Sequence, residues 1–564
     1  MVRAGSADLL SDLTVADDIS ADGRVTLSWT LGGQVLDAVS VTGVVTMMDD
    51  LDIGAFDRVP EADRVFAWRE LRAYLSFALH HLPNVLNPPQ GQGLSSSVRG
   101  LPHQWAVAGD GVAVPRWFPD AAMTAGARPL TPSRWRGPAG ALRPADGLVV
   151  EVPAGQRVHV TIVDGRTWHW AERHPLPAAA LKEVSAAALG VARSLGLRAA
   201  QLLFFLNPQP RRLTFAAAQA LPPLEPIPRH LRGQVVEALV DALARGYAHR
   251  NSHVHVAPAA PRSWRTPIGP AHRLDPTGSR TTRRTPTTTP VRAPIVVIGA
   301  SADPTAAHFL EQARRAGVSA VRWPAEEMAD LLPHLHRLLR EVRVPGIYYR
   351  RPGTDDAELE RALELVEDLC DVLGRRVVGA ISHRGTNFAK PLHTARIGSL
   401  PGAARAIPAQ VRSVPGAATG RLVLKALSAA KAEVVTHATG SGIAHAVPAH
   451  LQERVMGRNV RVHVCGDAVS AVEVGSARLD YRFDPDFTVR AVQLPASLEQ
   501  WCRTAARREG IVFAGVDLIV SGTDVRCLEV NPNPGYHVFE KPLLDEGGEA
   551  VVTRQLIRYL TGEA

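Results

Sequence analysis

The sequence predicts a protein of mixed α/β and α+β class, built from two halves of similar size. Three observations carry this. Residues 294–323 read as strand, helix, strand, the opening of a parallel sheet. Two alternating strands interrupted by acids lie close to the C-terminal end. Between the halves, residues 257–293 are rich in Pro, Thr and Arg and have no helical or strand periodicity, which reads as a flexible linker. At 564 residues the chain exceeds what one core supports.

The first half, residues 1–256, shares short stretches with the second in the same order. "GAFDRVP" (54–60) parallels "GIYYRRP" (346–352), and "EVPAGQRVHV" (151–160) parallels "ERVMGRNVRVHV" (453–464). "LGLRAAQLLFFL" (195–206) parallels "EGIVFAGVDLIV" (509–520), so an internal duplication is expected. In the second half, "PIVVIGAS" (294–301) is a strand and "DAELERALELVEDLCDVLG" (356–374) has helical periodicity. "RLVLKAL" (421–427), the pair within 459–474, the helix at 497–510 and the strands "VFAGVDLIVSG" and "VRCLEVNPN" follow.

Composition narrows the function classes. The net charge is +8, but it is scattered rather than striped, which argues against nucleic acid. No run of about 18 apolar residues suggests a membrane helix, and no basic-then-apolar opening suggests a secretion signal. Cys370, Cys465, Cys502 and Cys527 form no metal spacing, so a reduced, cytoplasmic setting is expected. Lysine occurs only at 182, 390, 425, 431 and 541, which makes each one informative.

The chemistry gathers around "VRCLEVNPNPG", from Val525. A tight turn at Ser521–Asp524 brings Asp517 beside Glu529, and strand alternation puts Asn531 on the same face as Glu529. Three converging oxygen ligands suit Mg²⁺, with Mn²⁺ as the alternative ion. The competing reading is a solvated hairpin with unpaired acids, but acids interrupting two apolar strands need a reason.

This set resembles the ATP-grasp superfamily, in its glutathione-synthetase-like, RimK-type branch: an Asp in a strand, then Glu-x-Asn-x-Asn-x-Gly, here Asp517, Glu529, Asn531, Asn533 and Gly535. The resemblance covers roughly residues 294–564. It implies a pre-ATP-grasp parallel-sheet domain at 294–385 and a catalytic ATP-grasp domain of two α+β subdomains at 386–564. It implies that Asp517, Glu529 and Asn531 hold the Mg²⁺ that bridges ATP phosphates. Lys390 and Lys425 match the family's two phosphate lysines, and Gln452 and Glu453 match its hinge near adenine and ribose. Arg461 and Arg482 resemble two arginines that face the transferred phosphate and the acyl group. "IYYRRPG" and "DYR" resemble the graspetide synthetases, the peptide macrocyclases of this branch. The loop after Lys425 departs from the family, having glycines only at its end.

The implied activity is an ATP-dependent carboxylate–amine ligase working through an acyl phosphate. Its carboxylate and its amine or hydroxyl acceptor would belong to a peptide or amino acid. The alternatives are an ester- or amide-forming peptide macrocyclase and a non-catalytic scaffold with a vestigial ATP site. Aligning Gly196 with Gly510 sets Leu203 opposite Asp517, Phe215 opposite Glu529, and Ala217 opposite Asn531. In this alignment Arg157 alone persists, opposite Arg461. The first half is thus expected to be a degenerate ATP-grasp-like partner without a nucleotide site, docked as an intramolecular pseudo-dimer; homo-oligomerisation is the further option. His249, His253 and His255 lack an acid or Cys to complete a metal site, and Trp168 and Trp170 read as packing residues.

Overall fold

The computed structural model describes residues 4–37, 40–46, 51–89, 94, 100–108, 112–115, 117–119, 142–145, 148–208, 211–220, 224, 226–248, 294–328, 331, 345–352, 357–372, 376–379, 385–413, 422–428, 435–437 and 447–563. The 257–293 segment and the histidines 249, 253 and 255 lie outside these.

The first half opens with an antiparallel meander, β1 (Leu13–Ile19), β2 (Ser28–Leu31) and β3 (Gln34–Asp37). Strict alternation in β1 buries Leu13, Val15, Asp17 and Ile19 and exposes the residues between. Helix α1 (Arg64–His81) and the short α2 (Leu101–Ala108) follow. Next come the paired strands β4 (Gln156–Val163) and β5 (Arg166–Ala171), then helix α3 (Ala178–Ser194). The hairpin β6 (Ala199–Pro208) and β7 (Arg211–Ala220) and helix α4 (Arg229–Ala248) complete the half. The sheet order is β5-β4-β6-β7.

The second half starts as its sequence predicts. Strand β8 (Ile295–Gly299), helix α5 (Pro304–Arg315) and strand β9 (Ala320–Pro324) form a parallel unit, joined by β10 (Ile347–Arg350) and β11 (Val377–Gly379). Asp303 caps α5 by accepting from Thr305 and Ala306 N–H, and Pro304 sits where no donor is needed. Helix α6 (Ala357–Val372) lies between β10 and β11. Helix α7 (Lys390–Gly398), β12 (Ala409–Arg412), β13 (Leu422–Lys425), β14 (Val435–His437) and β15 (Ala449–Glu453) come next. Then follow β16 (Arg458–Cys465), β17 (Ala468–Gly475), β18 (Thr488–Val492), α8 (Ala496–Arg508), β19 (Phe513–Ser521), β20 (Asp524–Asn531), α9 (His537–Asp545) and α10 (Val551–Thr561). The short strand Arg405–Ala406 joins β20, and the order continues β20-β19-β16-β17-β18.

One sheet is built from both sides of the 257–293 segment. β1 pairs antiparallel with β12, giving the order β14-β13-β15-β12-β1-β2-β3. At the turn after β1, Gly23 has φ +78° and a side chain there would collide with the Ala395 carbonyl, so only glycine fits against α7. The helices pack reciprocally across the halves. α1 lies on α7, with Leu71 and Leu75 in one core with Leu392 and Leu427. α2 lies on α6, with Leu101 and Trp105 in one core with Leu363 and Val366.

The sheet β5-β4-β6-β7 repeats the order β17-β16-β19-β20, each with a helix before its third strand. Both hairpins carry a bulge, after Leu203 in one and after Asp517 in the other. Matching the bulges pairs His159, Leu203 and Ala217 in one sheet where Arg461, Asp517 and Glu529 pair in the other. This corrects the sequence alignment. The counterpart of Glu529 is Ala217, not Phe215; that of Asn531 is Gln219, not Ala217; that of Arg461 is His159, not Arg157. For the counterparts of Glu529 and Asn531 the cause is a first-half hairpin one residue pair longer, ending at Pro208–Arg211 instead of Ser521–Asp524. Trp170 stacks on His159 at 5.1 Å, and Trp168 packs with α4 residues, as the packing reading expects.

Candidate functional site

The hairpin β19–β20 places Asp517 and Glu529 as direct cross-strand partners. Gly522, with φ +58°, makes the tight turn that sets this register. Asn531 follows on the face of Glu529, opposite Gly515. Gly515 leaves room for a crossing side chain, because a Cβ there would strike the Arg461 guanidinium reaching over from β16. Arg461 Nη1 donates to Asp517 Oδ2 at 2.6 Å, and its guanidinium lies 5.5 Å from the Phe539 ring centre. The first half has His159 and Gln201 in the two corresponding positions.

Burial pushes the Asp517 carboxyl upward, and the neighbouring Glu529 charge adds to this while Arg461 opposes it. Tyr481 Oη lies 3.5 Å from Asp517 Oδ1. The adjacent Arg482, half exposed, is gripped by Asp480, with Nε donating to Oδ1 at 2.8 Å. Arg482 acts electrostatically on Asp517, Lys390 and Lys425, so it faces the same space.

Two lysines lie within electrostatic reach of the carboxylates. Lys425, at the end of β13, donates from Nζ to Gln452 Oε1 on β15 at 2.6 Å. Burial lowers it to about 8, with the Lys390 charge acting in the same direction. Burial also lowers Lys390, at the start of α7, while Glu529, Glu70 and Asp480 favour its charged form. Gln452 is buried, whereas Glu453 at the strand end is exposed. His450 pairs with Lys425 across the strands, is fully buried, and has no hydrogen-bond partner on either ring nitrogen among the described residues. Burial, with the two lysine charges behind it, holds His450 neutral.

Buttresses fix β20 from behind. His393 Nε2 accepts from Val530 N–H at 2.8 Å, between Glu529 and Asn531. That bond places the His393 proton on Nδ1, facing Thr386 Oγ1 at 2.9 Å; Thr386 donates onward to Glu509 Oε2 at 2.7 Å. Burial raises Glu509, but His393 and Arg396 outweigh it and hold the carboxyl at about 2. In the first half Gln104 Oε1 accepts from Ala218 N–H at 2.8 Å, the same bond at the matching strand position. Beyond Glu529, Asn531 Oδ1 accepts from Asn533 N–H at 2.8 Å, and Asn533 Nδ2 donates to the Arg351 carbonyl at 3.1 Å. Arg350 donates to the Pro534 carbonyl at 2.8 Å and pairs with Asp303 at 2.9 Å. The Pro-Asn-Pro segment is thereby tied to β10.

The donor set fits a hard divalent cation: two carboxylates and an amide oxygen share one strand pair, with positive groups opposite to receive phosphates. Among the described residues no group of three or more His, Cys, Asp and Glu could form a different metal site. Of the residues expected from the sequence, Asp517, Glu529, Asn531 and Arg461 lie on the hairpin and its neighbour β16, Lys425 is bonded to Gln452, and Glu453 is exposed at the end of β15, opposite Leu422. Sequence reading missed Asp480, His450, His393 and Glu70. Asp480 had a legible signal, an acid two residues before Arg482; the others depend on contacts remote in sequence.

No family model matches the chain, and no curated protein does. Several solved structures resemble part of it. The ATP-grasp ligase PsnB complexed with minimal precursor is 20% identical, over 47% of this chain and 99% of that one, with a TM-score of 0.38. The macrocyclase MdnC bound with precursor peptide MdnA, from Microcystis aeruginosa MRC, is 16% identical over 47% and 98%, with a TM-score of 0.35. D-alanine–D-alanine ligase from Bacillus anthracis is 14% identical over 48% and 100%, with a TM-score of 0.33.

Proposed function

We propose that the second half is an ATP-dependent ligase of the ATP-grasp type, and that the first half is its degenerate, non-nucleotide-binding partner. The observation that carries this is the convergence of Asp517, Glu529 and Asn531 on one hairpin, facing Lys390, Lys425 and Arg482. In this cluster burial disfavours the charged form of both lysines, while the nearby carboxylates favour it. A metal–polyphosphate complex satisfies both signs at once.

In the proposed reaction a substrate carboxylate attacks the γ-phosphorus of ATP, releasing ADP and forming an acyl phosphate. An amine then attacks the acyl carbon; the phosphate leaves and the amine loses a proton, giving an amide. Asp517, Glu529 and Asn531 would hold Mg²⁺, which when bound neutralises phosphate charge. Lys390 and Lys425 orient the phosphates, and Gln452, which positions Lys425, lines the base side with Glu453. Arg461 and Arg482 balance charge on the transferred phosphoryl group and the acyl oxygen. Catalysis is then positioning and charge neutralisation, with no covalent enzyme intermediate. The sequence resemblance is the support for a peptide or amino-acid substrate, with macrocyclisation as its narrower form.

The degenerate reading of the first half is supported by Leu203 and Ala217 standing where Asp517 and Glu529 stand in the second. The test is Glu529→Gln, which keeps size and removes charge. Mg-dependent ADP release over a panel of carboxylates and amines is expected to vanish while the circular dichroism is retained. Undiminished release would refute the assignment.

A further inference from the structure

We infer that Glu70, supplied by the first half, is a positioning residue of the nucleotide site, fixing the backbone that links the two phosphate-facing lysines. This rests on the nucleotide reading above. Glu70 lies within α1 and is 3% exposed. Its Oε2 accepts from Leu427 N–H and its Oε1 from Ser428 N–H at 2.9 Å, across more than 350 residues of sequence. These two residues follow directly on β13, which ends at Lys425. The Leu427 carbonyl in turn accepts from Lys390 N–H at 2.8 Å, and Ala389 bridges to Ser428. The segment after Lys425 is thus stitched to Lys390 on one side and to Glu70 on the other.

A carboxylate suits this place in two ways. It offers only acceptors to two backbone donors, whereas a glutamine would turn an N–H₂ toward one of them. It also stands among the charges that act on Lys390, together with Glu529 and Asp480, against burial and Arg482. Lys425 faces Lys390, Arg482, Glu529 and Asp517, with His450 neutral beside it. The second half's lysine pair is therefore incomplete without a side chain from the first.

The test uses the full-length chain and Mg-ADP as probe, by titration calorimetry from pH 7 to 9, with melting temperatures alongside. Glu70→Gln is expected to weaken binding on the order of tenfold at pH 7.5 and to move the alkaline loss of affinity to lower pH. Glu70→Asp keeps the charge and is expected to leave that pH limb in place, with a smaller loss. Leu71→Ala, in the same core, lowers the melting temperature and leaves the limb unmoved. Wild-type affinity and limb in Glu70→Gln would overturn the inference. So would equal weakening in Glu70→Gln, Glu70→Asp and Leu71→Ala with the limb unmoved. A wild-type chain that binds no Mg-ADP would refute the nucleotide reading itself, and the inference with it.

Discussion

Raising the pH from 7 to 9 is expected to weaken Mg-ADP binding to the wild-type chain about tenfold. The perturbation acts through Lys425, which burial holds at about 8. A depressed lysine loses its charge as pH rises, so the effect lies on the alkaline side. With a midpoint near 8, roughly nine-tenths of the side chain is charged at pH 7 and roughly one-tenth at pH 9. If the phosphates bind only the ammonium form, affinity follows that fraction, a loss of about 1.4 kcal/mol. Lys390, lowered by burial as well, acts in the same direction. A lysine at its ordinary value near 10.4 would lose less than about 10% of its charge over this range. The assay is titration calorimetry at pH 7, 8 and 9 with fixed ionic strength and excess Mg²⁺. Lys425→Arg keeps its charge throughout and is expected to flatten most of the slope, at some cost in affinity at pH 7. A wild-type affinity constant from pH 7 to 9 would refute the reasoning.

Three further outcomes follow from the packing. Glu509→Gln is expected to remove an acid-side contribution on the order of 3 kcal/mol, since a carboxyl at about 2 stabilises the fold above pH 4.5 and loses this as pH falls toward 2; pH-dependent denaturant unfolding would measure it, and identical wild-type and mutant acid limbs would count against it. Asp17, fully buried against Tyr74 at the β1–β12 junction, has been raised to about 6 by burial, so its contribution is present below about pH 4 and lost as pH rises through 6. Asp17→Asn is expected to flatten the melting temperature between pH 4 and 6, and an unchanged slope would show that Asp17 does not report on the junction. Residues 290–564 expressed alone are expected to aggregate or self-associate on size-exclusion chromatography, because β12 becomes an open edge and the α7 core face loses α1; a soluble, monomeric, nucleotide-binding fragment would refute this.

The second-half hairpin was legible in the sequence because its parts are local. Asp517, Glu529 and Asn531 lie on two adjacent strands joined by one tight turn, and alternation alone decides which face they share. Lys390 and Lys425 were legible through the scarcity of lysine. Gly515 also left a signal, since a glycine inside a strand marks a close approach, here that of Arg461. The pairing of β1 with β12 left none, because the partners are remote and β1 reads as any half-buried strand. Glu70 looks like one more helical surface acid until its backbone partners are seen. The first-half counterparts were misplaced by two residues because sequence offset cannot register a hairpin that has grown by one rung.

The bulge shared by the two hairpins has a consequence for how the two sheets are compared. A ligand side chain can be exchanged by a single substitution, and at Leu203 and Ala217 carboxylates are absent while the backbone irregularity beside them persists. Losing the bulge would require deleting Ala216, the extra residue between Phe215 and Ala217, which would invert every later side chain of β7 and displace Ala218 and Ala220 from their core. The kink is therefore held by packing on both of its sides, whatever side chains stand beside it. Where two sheets share strand order but not side chains, such backbone irregularities are the marks by which they should be superposed.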